Sequence, residues 1–373
     1  MIAPLDVGAA RIYIGLHHCC DNAERGQKKV VSKVKRTAVV AISRAERQWF
    51  KPEREVAFLE KLTDGFEAAR HVSAVLAVLL FLVGSALMWA NSDSTSERTA
   101  RLKRAIETLG PLHEKLGPPR PGDWLYQHKE PGQTFQEYLD SNPVTPRGER
   151  HVIYVQPLGE FTESQRRIVT LTADFLGRYF SRPVKVEKDL PLSLIPERAR
   201  RIHPSWGDRQ ILTTYVLDEV LKPRLPKDAA AYIALTASDL WPGEGWNFVF
   251  GQASLRDRVG VWSIYRNGDP DAGREGFRLC LLRTLKTAAH ELGHMFSIPH
   301  CTLYECGMCG SNSREEADRR PLCLCPECMA KVCWATEADP VERYKKLSEF
   351  AREQGLKAEQ EFYEKSIKAL EAP

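Results

Sequence analysis

With 373 residues, 43% of them hydrophobic and 27% charged, the chain has an ordinary globular composition and length for one sizeable core plus an appendage. Its net charge of +4 is small for this size, and no stripe of interleaved basic and aromatic residues accompanies it, which excludes nucleic acid as the main partner.

Residues 1–70 form an amino-terminal region to which no role attaches. His17, His18, Cys19 and Cys20 are adjacent, a poor chelate that nothing downstream completes. Lys28, Lys29, Lys33, Lys35 and Arg36 read as a solvated surface or arm. Residues 72–90, VSAVLAVLLFLVGSALMWA, carry no charge, and about 20 such residues span a bilayer as a helix. A transmembrane helix is the expectation, with a buried core helix or an internal signal sequence as alternatives. Arg98, Arg101, Lys103 and Arg104 after the run outnumber Lys61 and Arg70 before it. That bias favours the remainder of the chain on the cytoplasmic side. Without the membrane helix the protein is expected to be cytoplasmic.

Residues 91–121 read as a linker: a polar opening, a charged helix around 97–109, and the punctuation Gly117-Pro118-Pro119-Arg120-Pro121-Gly122 that marks a boundary. The main domain then occupies 122–355 and a helical tail 356–373, with Trp124, Phe135 and Tyr138 at the domain's edge. Hydrophobic patterning predicts strands over 152–155, 184–187 and 230–236, and helices over 162–180 and 211–221. Such alternation implies parallel strands and an α/β sandwich. Two further strands, 246–253 and 259–264, are joined too closely for a parallel crossover, so one must run antiparallel. Gly251, Gln252 and Ala253 are nominated as an edge able to pair with an extended peptide; a core strand without substrate role is the alternative.

The chemistry concentrates in HELGHMFSIPHC, residues 290–301. On a helix, residues four apart share a face, so His290 and His294 can offer two imidazole nitrogens to one ion. His300 follows after the helix ends and completes a three-histidine set that leaves a fourth tetrahedral position for water. Glu291 sits beside the ligands, where a carboxylate serves as general base for hydrolysis. Leu282, Leu285, Ala289, Leu292 and Phe296 form an apolar stripe that packs the helix and leaves the histidine face free.

Seven of the ten cysteines lie between Cys301 and Cys333, a clustering that in a reducing compartment points to metal. Cys301 and Cys306 form one pair, and Cys325 and Cys328 form a CxxC knuckle. Four thiolates close a tetrahedral zinc and make it structural. Cys309 and Cys323 are spectators, and disulfides would compete if the domain faced the cell exterior. Ser313 with Glu316 fits a capping box that opens a short helix, rather than Glu315, Glu316 or Asp318 supplying a third zinc ligand.

The run HELGHMFSIPHC, then Cys306-Gly307-Met308 and GSNSREEADRRPLCLCPEC ending at Cys328, together with the upstream segments WNFVFGQASL (246–255) and HVIYVQPLG (151–159), closely resembles the archaemetzincins, a metzincin branch of zinc metallopeptidases. The resemblance covers roughly residues 120–350 and not the amino-terminal third. It implies a metzincin-like mixed α/β sheet with an antiparallel edge strand, an active-site helix and a small zinc-stabilised C-terminal subdomain. It further implies two zinc ions, one catalytic and one structural, Met308 as the Met-turn beneath the imidazoles, and residues 251–253 lining the cleft. The substrate would be a peptide or protein, and a monomer is expected. Where the family has Gly at a sharp turn, this chain has Ser297; a left-handed non-Gly residue costs on the order of 1–2 kcal/mol. A catalytically silent zinc-binding interaction protein is therefore the alternative to the peptidase.

Overall fold

The computed structural model describes residues 95–254 and 257–372, which fold as one compact unit. His17, His18, Cys19, Cys20, the basic run and residues 72–90 lie outside the described residues. Against the transmembrane expectation, no helix among the described residues is long and apolar enough to cross a membrane. The longest, Gly273–Met295, carries Arg274, Glu275, Arg278, Arg283, Lys286 and Glu291 along its length.

Five strands make the main sheet: β1 (Val152–Leu158), β2 (Val184–Val186), β5 (Ala229–Thr236), β7 (Gly251–Ser254) and β8 (Val259–Ser263), in the order β2-β1-β5-β8-β7. β1, β2, β5 and β8 pair parallel, and β7 lies antiparallel to β8 at the edge. The mixed α/β sheet with its antiparallel edge is as expected. A smaller sheet joins β3 (Arg200–Ile202), β4 (Arg209–Leu212) and β6 (Asp239–Trp241).

Both faces of the main sheet are covered, so β1 and β5 are buried at every position and read as apolar runs broken only by Gln156 and the terminal Thr236. Alternation along each strand sorts the core. Ile153, Val155, Ile233, Leu235 and Trp262 face the helices Glu163–Phe180 and Gly273–Met295, while Val152, Tyr154, Tyr232, Ala234 and Val261 face Val216, Leu217, Val220 and Leu221. Residues 95–109, in the stretch read as linker, are helical, and their Leu102 and Leu109 are buried in the first of these clusters. Two expected elements are shorter than predicted. The strand over 246–253 begins only at Gly251: the Trp246 and Asn247 carbonyls accept from the Arg201 and Gln210 side chains, and Val249 makes an isolated bridge to Leu240 instead of joining the ladder with β8. The helix over 211–221 begins at Thr213, after β4, and continues as a π-helical stretch Val216–Leu221 up to Pro223.

Candidate metal centre

The helix Gly273–Met295 packs its buried Leu281, Leu285, Ala288, Leu292 and Met295 into the core, which fixes the opposite face toward the sheet edge. Beyond it the chain turns through Ser297, whose φ of 62° is the left-handed conformation the sequence implied. Three bonds hold the turn. Ser297 and Ile298 donate to His294 and Gly293 carbonyls at 2.9 and 3.2 Å, and the Tyr138 hydroxyl donates to the Phe296 carbonyl at 2.8 Å. The Ser297 hydroxyl, which Gly would lack, accepts the Val144 N–H at 3.0 Å.

The turn brings His300 back beside the helix. One ring nitrogen from each of His290, His294 and His300 lies within 4.8 Å of the others, and all three residues are buried. Their Nδ1 atoms are occupied: by the Gly307 carbonyl at 2.9 Å, the Ile298 carbonyl at 2.7 Å, and the Glu130 carboxylate at 2.9 and 3.0 Å. A carbonyl or carboxylate accepts only, so each Nδ1 carries the proton and each Nε2 presents a lone pair. His290 and His294 point these nitrogens at one another 3.0 Å apart, and Nε2 of His300 is buried without a partner. Three converging lone pairs with no donor fit a zinc ion, for which imidazole is a preferred ligand. Burial pulls the His290 imidazole down to about 3 and His294 well below its ordinary value, so both rings stay neutral and ready to ligate.

Glu291 is buried, and its Oε1 has no partner. Burial pushes its carboxyl up to about 7. It opens onto a narrow cleft with Phe250, Lys286, Thr287 and Arg314, next to His290. The edge strand β7 runs along the helix here; a Cβ on Gly251 would stand 2.9 Å from the Trp262 side chain and 3.4 Å from Thr287, so glycine permits the close approach. Gln252 and Ala253 are half-buried, and the Gln252 side-chain oxygen accepts from the Thr213 hydroxyl. Met308 lies buried against Gly293, where a Cβ would come within 2.6 Å of its sulfur, placing the thioether on the helix between the two histidine turns.

The sulfur atoms of Cys301, Cys306, Cys325 and Cys328 also lie within 4.8 Å of one another, all buried. The Cys301 and Cys325 sulfurs are 3.7 Å apart, and all eight described cysteines are free of disulfides. Cys306 sulfur accepts the N–H groups of Met308 and Cys325 at 3.4 and 3.2 Å, and Cys325 caps the helix Pro326–Thr336 by accepting from Cys328 at 3.4 Å. N–H donors and a helix N-terminus favour thiolate over thiol. Four thiolates in one buried pocket repel unless a cation joins them, and the set fits a closed tetrahedral zinc. Cys309 turns its sulfur to the Tyr304 carbonyl at 3.2 Å, outside the set of four.

Two residues of the site escaped the sequence reading. Glu130 holds the His300 ring, and Trp124 in turn donates Nε1–H to Glu130 at 3.0 Å while its ring stands edge-on to His300 at 5.0 Å. Burial alone would raise the Glu130 carboxyl, but the hydrogen bonds it accepts from His300 and Trp124 outweigh it and hold the group below the usual range. Expected at the domain's edge, Trp124 is 3% exposed and walls the site. The expected capping box is half formed: Ser313 accepts from Glu316 N at 3.1 Å, but the Glu316 carboxylate, buried, accepts instead from Asn312 N at 2.8 Å and Trp124 N at 3.0 Å. Asp318 pairs with Arg283.

A family model described as Peptidase family M54 matches residues 218–333. The chain is similar to human Archaemetzincin-2, 34% identical over 275 residues that cover 65% of this chain and 76% of the relative. It is also similar to the Archaemetzincin of Thermococcus kodakarensis, 34% identical over 185 residues covering 48% of this chain and 95% of that one. A crystal structure of Archaemetzincin from Archaeoglobus fulgidus aligns with 48% of this chain and 99% of its own at 30% identity, with a TM-score of 0.38.

Proposed function

The chain belongs to the archaemetzincins and is a zinc metallopeptidase, and from that premise we propose that His290, His294 and His300 hold the catalytic ion while Glu291 is the general base. The observation that carries this is the orphaned Nε2 of His300 facing the paired Nε2 atoms of the other two rings, with every Nδ1 already spent. When bound, zinc supplies Lewis acidity, drawing electrons from the scissile carbonyl and acidifying the attacking water. Glu291, one residue from a ligand and unpartnered at Oε1, accepts a proton from that water and passes it to the amine nitrogen as the C–N bond breaks. Gly251, Gln252 and Ala253 on β7 hold the substrate extended by strand pairing, keeping its backbone alongside the helix. Met308 supports the histidine turns from below.

A second ion, bound by Cys301, Cys306, Cys325 and Cys328, ties the segment after His300 to the helix Pro326–Thr336 and has a structural role. The test is a peptide-library screen of the zinc-loaded protein, alongside its metal content, with a chelator control. Glu291→Gln is expected to keep both zinc ions and lose hydrolysis by about 10³-fold or more. Turnover near the wild-type rate in that variant would remove Glu291 from the base role.

A further inference from the structure

We infer that the cleft beside Glu291 is built to take a carboxylate of the substrate, so that the enzyme favours peptides carrying an acidic side chain, or a free chain end, next to the scissile bond. The inference deepens the peptidase reading and rests on it. Lys286 precedes His290 by four residues, one turn along the same helix face, a rise of about 6 Å. Successive residues of an extended peptide are about 3.3 Å apart, so the backbone one residue from the reacting carbonyl covers about half this depth, and the reach of its carboxylate and of the Lys286 side chain must span the rest.

The cation supply there exceeds the acid supply. Among the described residues the Lys286 ammonium donates only to the carbonyls of Ala317 and Asp318, at 3.4 and 3.2 Å. Arg314 lies 3.9 Å over the Phe250 ring and spends only Nη2, on the Arg266 carbonyl at 2.8 Å and Asn267 Oδ1 at 3.0 Å. Its Nε and Nη1 have no protein partner among the described residues. Asp318, the acid that acts on both, is held by Arg283 through both oxygens at 2.9 and 2.5 Å. Arg320 also lines the cleft but is answered by Glu305 at 2.7 Å and Glu316 at 3.1 Å. Among the lining residues Glu291 alone is acidic, and among the described residues no carboxylate stands within ion-pair distance of Lys286 or Arg314; Asp318, with Glu359 for Lys286 and Glu315 for Arg314, acts on them only at longer range. Burial works against the charge of Lys286 and lowers Arg314 to about 10, a penalty that an incoming carboxylate relieves. A charge-assisted pair of this kind discriminates by about tenfold or more.

The test uses the full zinc-loaded chain and two peptide series. One has blocked ends and differs only in Glu, Gln or Lys beside the cleaved bond; the other has neutral side chains and a free or amidated carboxyl end. The expected result is kcat/KM about tenfold higher for Glu over Gln, or for the free end over the amide, and the responding series identifies the source of the carboxylate. Lys286→Met is expected to bring that ratio close to one, and Lys286→Glu to invert it in favour of the Lys peptide. Equal cleavage of all peptides overturns the inference and leaves the peptidase reading intact. If no peptide is cleaved, the peptidase reading fails, and calorimetric binding to zinc-loaded Glu291→Gln decides separately. Tighter binding of the carboxylate peptide upholds the inference, and equal binding overturns it.

Discussion

At the scale of single residues, the site depends on a carboxylate that no spacing rule could reveal. Glu130 and His300 are 170 positions apart and meet only once the chain has folded. His290, Glu291 and His294 were legible because helical periodicity fixes their mutual geometry, and His300 because it follows them at a short spacing, whereas Glu130 and Trp124 lie far off in the chain on segments with no such period. The Glu130–His300 pair fixes the tautomer and orientation of the third ligand. Glu130→Gln retains an acceptor but loses the charge, and zinc affinity at the histidine site is expected to fall by about tenfold; Glu130→Ala should lose up to about 100-fold. Competitive chelator titration measures both, and an unchanged affinity in the alanine variant would strip Glu130 of this role. Ser297 shows how a departure from the family pattern is accommodated. Its left-handed backbone costs on the order of 1 kcal/mol, and its hydroxyl offsets this by accepting the Val144 N–H. Ser297→Gly is therefore expected to shift stability by less than about 1 kcal/mol with hydrolysis retained, read by denaturant unfolding. A gain of the full strain cost, about 1 kcal/mol or more, would mean that the hydroxyl contributes nothing.

At the scale of elements, the sequence located the alternation of strands and helices and the antiparallel edge because a sheet covered on both faces writes long apolar runs. It placed element ends poorly where backbone conformation overrode hydrophobicity. The Arg201 and Gln210 side chains take the carbonyls of Trp246 and Asn247 and leave the first half of one expected strand as loop, and the π-helical stretch before Pro223 follows a strand too short and polar to stand out. The cysteine pocket joins two elements, the turn after His300 and the N-terminus of the helix Pro326–Thr336. Cys328→Ser leaves three thiolates and a poorer donor, so this zinc should be lost and the C-terminal helices should loosen. A drop in unfolding temperature of at least about 5 °C, with faster amide exchange over 301–336, is expected. Unchanged exchange there would argue that the thiols need no ion.

At the scale of the whole molecule, the centre makes the metal-free fold sensitive to pH. His290 holds its folded value at about 3 against an ordinary 6.5, and His294 is lowered likewise, so between those limits the unfolded chain binds more protons and stability rises with pH. Glu291 acts oppositely, its value raised from 4.5 to about 7, so its contribution falls as pH rises through that window. Two histidines outweigh one carboxylate, and the metal-free protein is expected to lose stability as pH falls from about 6.5 toward 3, read by thermal unfolding after chelation. A flat profile would mean that the imidazoles are solvated. The most direct test of the account follows hydrolysis and bound zinc together during graded chelation of the full chain. An open three-histidine site should release its ion first, and activity should vanish with that first equivalent while the four-cysteine zinc and the far-ultraviolet circular dichroism persist. Activity that survives the loss of that ion, or disappears only as the fold melts, would contradict it.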